Sequence, residues 1–233
     1  MNMKQNWKRG LRAAVCMLVA FTVWTILVCL VDVRPIGPCA SSVGFATLNG
    51  LVHDLTGTSM LLYRLTDWLG LVPFAVAACF GVLGLLQWIK RKSLFRVDRE
   101  LIVLGVLYLA VITVYLFFEY VVINYRPILI DGVLEASYPS STTMLVGCVM
   151  PTAAIWLDVH IRRPAVKRWI LSTVVVFTVF MTVARILSGV HWITDVIGGA
   201  MLSSALVSAY AAFTYGRSAA VDCRKDANQE KNR

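Results

Sequence analysis

Residues that could do chemistry together are concentrated in Arg-Ile-Leu-Ser-Gly-Val-His-Trp-Ile-Thr-Asp, from Arg185 to Asp195. His191 and Asp195 stand four apart, so a helix beginning near His191 puts both on one face. A carboxylate so placed can hold one imidazole nitrogen as N–H and leave the other free as base, ligand or nucleophile. Arg185 adds a fixed cation whose planar fork suits phosphate. The cluster lies between two long apolar runs, 168–183 and 192–215. Ionisable groups at a membrane boundary are expensive enough to call for a function.

Two other stretches carry unusual polar residues: Glu119 followed by Asn124-Tyr125-Arg126-Pro127, and Tyr138-Pro139-Ser140-Ser141-Thr142-Thr143. Taken singly, each has an ordinary reading of equal weight. Arg126 beside Pro127 suits a helix end anchored at headgroup level. Pro139 with the hydroxyls of Ser140, Ser141 and Thr142 suits a helix N-cap. Taken together, two arginines, a helix N-terminus with free N–H groups and a carboxylate-oriented histidine form a phosphate site. A neutral His191 imidazole can attack phosphorus and form a phosphohistidine. Arg126, Arg185 and the helix N–H groups would stabilise the equatorial oxygens of the transition state.

The elements that must hold these segments follow from composition. The 233 residues are 58% hydrophobic and 15% charged, with mean hydropathy +0.73, which specifies an integral membrane protein, not a soluble domain. Runs at about 11–31, 67–89, 100–123, 143–160, 168–187 and 192–215 are long enough to span. The expected fold is an all-α bundle of six transmembrane helices. All but four of the 22 lysines and arginines lie at the N-terminus, in 90–99, in 161–168 or in the C-terminal tail. By the positive-inside rule those regions and both termini are cytoplasmic. The exceptions, Arg34, Arg64, Arg126 and Arg185, then fall on the outer side with all three polar segments. The net charge of +9 is thus a topology signal and predicts no nucleic-acid partner.

Residues 1–216 form a single membrane domain in this reading, with catalytic segments at 119–143 and 184–195 and a disordered cytoplasmic tail at 217–233. The first apolar run is followed by Asp32-Val33-Arg34-Pro35, not by a small-residue cleavage pattern, so it reads as a retained helix. In the outer loop 32–66, Phe45, Leu48, Leu51, Val52 and Leu55 recur at helical spacing. They predict a short amphipathic helix on the outer leaflet, roofing the site, with His53 and Asp54 on its wet face. Most tryptophans fall near span ends, as interfacial anchors do; Trp24 lies deep in a span. Cysteine spacing suggests neither a disulfide framework nor a zinc site, and no metal or other cofactor is expected.

The three polar segments resemble the signature motifs of the type 2 phosphatidic acid phosphatase superfamily, which also includes bacterial acid phosphatases and vanadium haloperoxidases. That family reads Lys-x6-Arg-Pro, Pro-Ser-Gly-His and Ser-Arg-x5-His-x3-Asp. Arg126-Pro127, Pro139-Ser140, Arg185, Gly189, His191 and Asp195 match in order and spacing. The resemblance implies His191 as nucleophile, Asp195 as its orienter, and Arg126, Arg185, Ser140 and the adjacent Ser141 as phosphate ligands. It also implies a multi-pass protein of the plasma membrane whose site faces outward. The family pattern is not kept throughout. Glu119 stands at the lysine, Ala184 at the serine before the motif arginine, and Thr142 at the histidine that protonates the leaving group.

General acid catalysis contributes about 10²–10⁴-fold, so Thr142 bears on the substrate. A phosphate monoester leaves as a high-pKa alkoxide and needs the proton. A diphosphate leaves as a phosphate monoester, whose second pKa is about 6, and needs it far less. The expected activity is therefore hydrolysis of a lipid phosphate, with a polyprenyl diphosphate favoured. A phosphotransferase using the same site, or a catalytically impaired protein that binds lipid phosphates, are the alternatives. A channel or transporter is disfavoured, since the spans hold no buried charge series or paired broken helices. Haloperoxidase chemistry would need vanadate and a more cationic pocket.

Overall fold

The computed structural model describes the backbone of residues 3–231 and the side chains of residues 7–216. Its helices are α1 (Met3–Leu30), α2 (Ala46–Thr56), α3 (Met60–Leu69), α4 (Leu71–Arg91), α5 (Arg99–Tyr120), α6 (Ser141–His160), α7 (Pro164–Leu187) and α8 (Ile193–Lys231). Among the described residues, six helices are long and apolar enough to cross a membrane, α3 and α4 counting as one broken span. The broken span begins at Met60, not near 67, so it takes in Tyr63 and Arg64, which the sequence pattern leaves in the loop. Ser59 explains the early start: its hydroxyl accepts from the Leu62 N–H and caps the helix.

Large apolar side chains such as Val106, Leu109 and Leu116 on α5 point outward and are more than half exposed, as lipid-facing residues are. By contrast α6 and α8 are the most buried of the spans, and both open at the same end of the bundle. The antiparallel helices α1 and α8 are tied at that end by Trp24, whose indole N–H donates to the Thr194 carbonyl at 3.1 Å while its ring stacks on Phe45 at 5.2 Å. The deep tryptophan is therefore a structural strut.

Helix α2 is present as the loop pattern predicts, and it is fastened from below. The buried Asn49 side chain donates to Gly44 O (2.7 Å) and Thr194 Oγ1 (3.0 Å), and its Oδ1 accepts from Thr194 N–H (3.3 Å). One of the free N–H groups that any helix start leaves is satisfied in this way. His53 packs on Trp192, with 5.6 Å between ring centroids. Beyond residue 216, α8 continues as helix to Lys231, where the sequence reading expects a disordered tail. Alanine, lysine and glutamate there have good helix propensity and extend a helix already nucleated; residues 232 and 233 of the expected tail lie outside those described.

Candidate active site

One hairpin and one helix start build the site. Between α5 and α6 the chain folds back on itself, with a bridge pairing Tyr125 and Ala136. Arg126 N–H donates to Glu135 O at 3.0 Å, and Ser137 N–H to Asn124 O at 2.9 Å. Tyr138 then locks the hairpin into the core. Its ring packs on Phe118 (5.6 Å) and Phe21 (6.4 Å), and its hydroxyl lies 2.7 Å from Thr25 Oγ1. Residues 124 to 137 therefore hold Arg126 and Ser137 in one rigid piece.

The second part is the turn from α7 into α8. Gly189 takes a positive φ of 64°, and a Cβ there would run into the Gly57 carbonyl, so glycine is required. Trp192 caps α8 and Asp195 occupies its first turn. The Asp195 Oδ2 atom accepts from Trp192 N–H at 3.0 Å, a carboxylate reaching back to the capping residue. The same oxygen accepts from Ser137 Oγ–H at 2.5 Å, and Oδ1 accepts from Asn124 Nδ2 at 3.1 Å. Asp195 is fully buried and its oxygens are well supplied with donors.

His191 is buried at 4% exposure. Its Nδ1 lies 3.0 Å from Ser137 Oγ and 3.2 Å from Ser137 O. A carbonyl can only accept, so Nδ1 carries the proton and Nε2 the lone pair. Burial first, then the charges of Arg126 and Arg185, hold the imidazole well below the ordinary histidine pKa, against an opposing pull from the Ser137 carbonyl. The ring is therefore neutral, with Nε2 its basic atom, and that atom has no hydrogen-bond partner. The sequence reading has Asp195 orient the ring directly. Instead its Oδ2 is 4.0 Å from Nδ1, beyond hydrogen-bond reach, and the Ser137 hydroxyl stands between.

Two arginines approach this imidazole. The Arg185 guanidinium donates to Thr142 Oγ1 and, at 3.2 Å, to Thr66 Oγ1; it lies 3.7 Å from Asp67 Oδ1. Arg126 forms an ion pair with Glu135 at 3.0 Å. Both guanidiniums face the Tyr63 ring, at 5.1 Å for Arg185 and 5.9 Å for Arg126, an attraction that helps to bring two like charges together. Arg126 Nη1 and Arg185 Nε are buried without acceptors. Buried charged donors are costly when unpaired, and an anion bound beside His191 Nε2 would satisfy both.

A cleft of about 450 Å³ opens here, lined by His191, Arg126, Ser141, Ser137, Glu119 and Glu135 among others. The structure thus brings His191, Arg126 and Ser141 to one cleft, whose lining does not include Arg185 or Asp195. It places Ser140 elsewhere. Ser140 is fully buried, its hydroxyl accepts from Thr143 Oγ1 at 3.1 Å, and its N–H donates to Asp195 O at 3.0 Å. Thr142 faces Arg185. Glu119 lines the cleft but pairs with no arginine; it accepts from Tyr115 O–H at 3.4 Å. Sequence reasoning assigned no role to Ser137, Glu135, Tyr63 or Thr66. Of these, Ser137 alone carried a sequence signal, as a hydroxyl two residues before the Pro139 motif.

With this geometry in view, residues 106–218, which include all the motif segments, match the family model described as PAP2 superfamily. The match spans a little under half of the chain, and over that stretch the chain is similar to the superfamily. Among solved structures it is similar to a transmembrane PAP2-type phosphatidylglycerolphosphate phosphatase from Bacillus subtilis, at 20% identity and a TM-score of 0.52. That similarity covers 86% of this chain and 95% of the other, and it extends the shared fold well beyond the motif region. No curated protein matches the chain.

Proposed function

We propose that this protein is a lipid-phosphate phosphatase of the plasma membrane that works through a phosphohistidine, with its site at the outer face. The match of residues 106–218 to the PAP2 superfamily supports a phosphatase-type activity. The observation that carries the mechanism is the unpartnered, neutral His191 Nε2 beside two arginines with unused N–H groups. In the first step Nε2 bonds to phosphorus as the bond to the leaving oxygen breaks. Arg126, Arg185 and the first N–H groups of α6 take the charge of the equatorial oxygens. Water then attacks phosphorus and the N–P bond breaks. Inorganic phosphate and the neutral imidazole are released, with one water proton passing to solvent. The cytoplasmic placement of both termini, and with it the outward site, is supported by where the lysines and arginines lie.

The Thr142 hydroxyl accepts from Arg185 and is too weak an acid to protonate a leaving oxygen, which favours leaving groups that depart without a proton, a polyprenyl diphosphate first among them. The same weakness favours a second reading, a protein that binds lipid phosphate and turns it over poorly or not at all. A phosphotransferase would use the identical phosphohistidine with an alcohol in place of water. The deciding experiment is phosphate release by purified protein in detergent on a polyprenyl diphosphate, phosphatidic acid and phosphatidylglycerol phosphate, with His191→Ala as control. Release that needs His191 supports the hydrolase; bound lipid phosphate without release supports the binding protein.

A further inference from the structure

We infer that Ser137 is a positioning residue for the nucleophile: its hydroxyl is the link through which Asp195 acts on His191. The inference rests on the phosphatase reading for its consequence and on the hydrogen bonds alone for its geometry. The His191 Nδ1–H has two acceptors, both on Ser137: Oγ at 3.0 Å and O at 3.2 Å. The Ser137 hydroxyl has one hydrogen to give, and Asp195 Oδ2 takes it at 2.5 Å. The direction of the chain is therefore fixed, from Nδ1–H to Oγ and from Oγ–H to the carboxylate. Reversing it would require Nδ1 to accept from the hydroxyl, leaving the Ser137 carbonyl facing a lone pair and Oδ2 without its shortest donor.

The arrangement is enclosed as well as directed. Ser137 is 3% exposed, so water does not compete for the hydroxyl. Its backbone is held by the bond to Asn124 O, and the Asn124 side chain donates to the other oxygen of Asp195. Residue 124 thus fixes donor and acceptor alike. As Nε2 bonds to phosphorus the ring gains positive charge, and a chain polarised toward a carboxylate stabilises that charge. No proton needs to leave Nδ1: the atoms stay in place and the hydrogen bonds shorten.

Consequences differ from those of a structural serine. Ser137→Ala leaves the carbonyl to hold Nδ1–H, so binding survives while the route to Asp195 is cut. The lost bond to a charged group predicts a kcat about 10- to 100-fold lower, with KM within about twofold. Ser137→Thr, which keeps the hydroxyl, should recover most of the loss. A double-mutant cycle is the decisive part. If Asp195 acts through Ser137, then Ser137→Ala adds little in an Asp195→Asn background; if the two residues act independently, their losses multiply. Multiplying losses, or wild-type kcat in Ser137→Ala, would overturn the inference. Thermal unfolding in detergent identifies any variant whose loss is merely structural. The same cycle is readable without turnover from the ¹⁵N resonances of labelled histidine, of which the chain has three. Asp195→Asn should shift the His191 Nδ1 signal in the wild-type background and leave it nearly unmoved in Ser137→Ala; equal shifts in both would refute the link. Absence of phosphate release from every lipid would count against the phosphatase reading, while this signal would still decide the role of Ser137.

Discussion

Replacing Thr142 by histidine separates two roles that the wild-type residue cannot combine. The Thr142 hydroxyl accepts a hydrogen bond from Arg185, and its loss leaves that buried guanidinium nitrogen with only the longer contact to Asp67. Such bonds are worth about 1.5–3 kcal/mol, or roughly 10- to 150-fold in rate if Arg185 holds the transition state. A histidine could add general acid catalysis, about 10²–10⁴-fold, or roughly 3–5 kcal/mol. On a phosphate monoester the gain exceeds the loss, and activity should rise by about tenfold or more. On a diphosphate, whose leaving group needs no proton, only the loss remains, and activity should fall by about 10- to 100-fold. The ratio of kcat/KM values, monoester over diphosphate, should therefore increase by about 10²–10⁴. Phosphate release on phosphatidic acid and a polyprenyl diphosphate measures it, and Thr142→Ala gives the loss of the Arg185 contact alone. Equal changes on both lipids would refute the leaving-group argument. A fall on both, matching Thr142→Ala, would mean that a side chain at 142 never reaches the leaving oxygen.

Four further outcomes are expected. Because the folded His191 pKa lies below its ordinary value, the imidazole stays neutral as pH falls through about 6.5; the acid limb of kcat/KM, corrected for ionisation of the substrate, should appear only below that pH, and a limb at 7 or above would contradict the site electrostatics. By the same linkage the unfolded chain binds more protons in that window, so this group should make stability decline as pH drops below about 6.5, as followed by thermal unfolding. Arg126→Lys keeps the charge but loses the fork and the unpartnered Nη1, and should lower kcat/KM by about 10- to 100-fold in the same assay. Asn49→Ala removes two hydrogen bonds between α2 and α8 and one to Gly44 and should destabilise by about 1–3 kcal/mol; proteolysis should cut first near residues 46–56 if α2 lifts away.

Hydropathy made the spans legible, because lipid-facing helices must be apolar over their whole length. It placed the second span late because capping at Ser59, and not hydropathy, sets the start of α3. In the same way the spacing of His191 and Asp195 located the pair but not its geometry. Four residues along a helix bring two side chains to one face, yet His191 precedes α8 and Asp195 lies within it, which leaves room for Ser137. Ser137, Tyr63 and Thr66 lie far from the Arg185–Asp195 run in sequence and meet it only through packing. The charge that matches Arg126 also came from elsewhere: Glu135, across the hairpin, and not Glu119 at the end of α5.

The hairpin from Asn124 to Ser137 has a consequence for how this site can vary. It carries Arg126, the proposed phosphate ligand, on one arm and Ser137, the proposed support of the nucleophile, on the other, joined by four backbone hydrogen bonds. Lengthening or shortening the connecting turn would shift both arms at once. Substrate affinity and nucleophile alignment should then change together, as a single inherited trait, whereas replacements at Arg126 or Ser137 alter one and spare the other. A lineage that needs a different headgroup could therefore change either arm alone at little cost to the other.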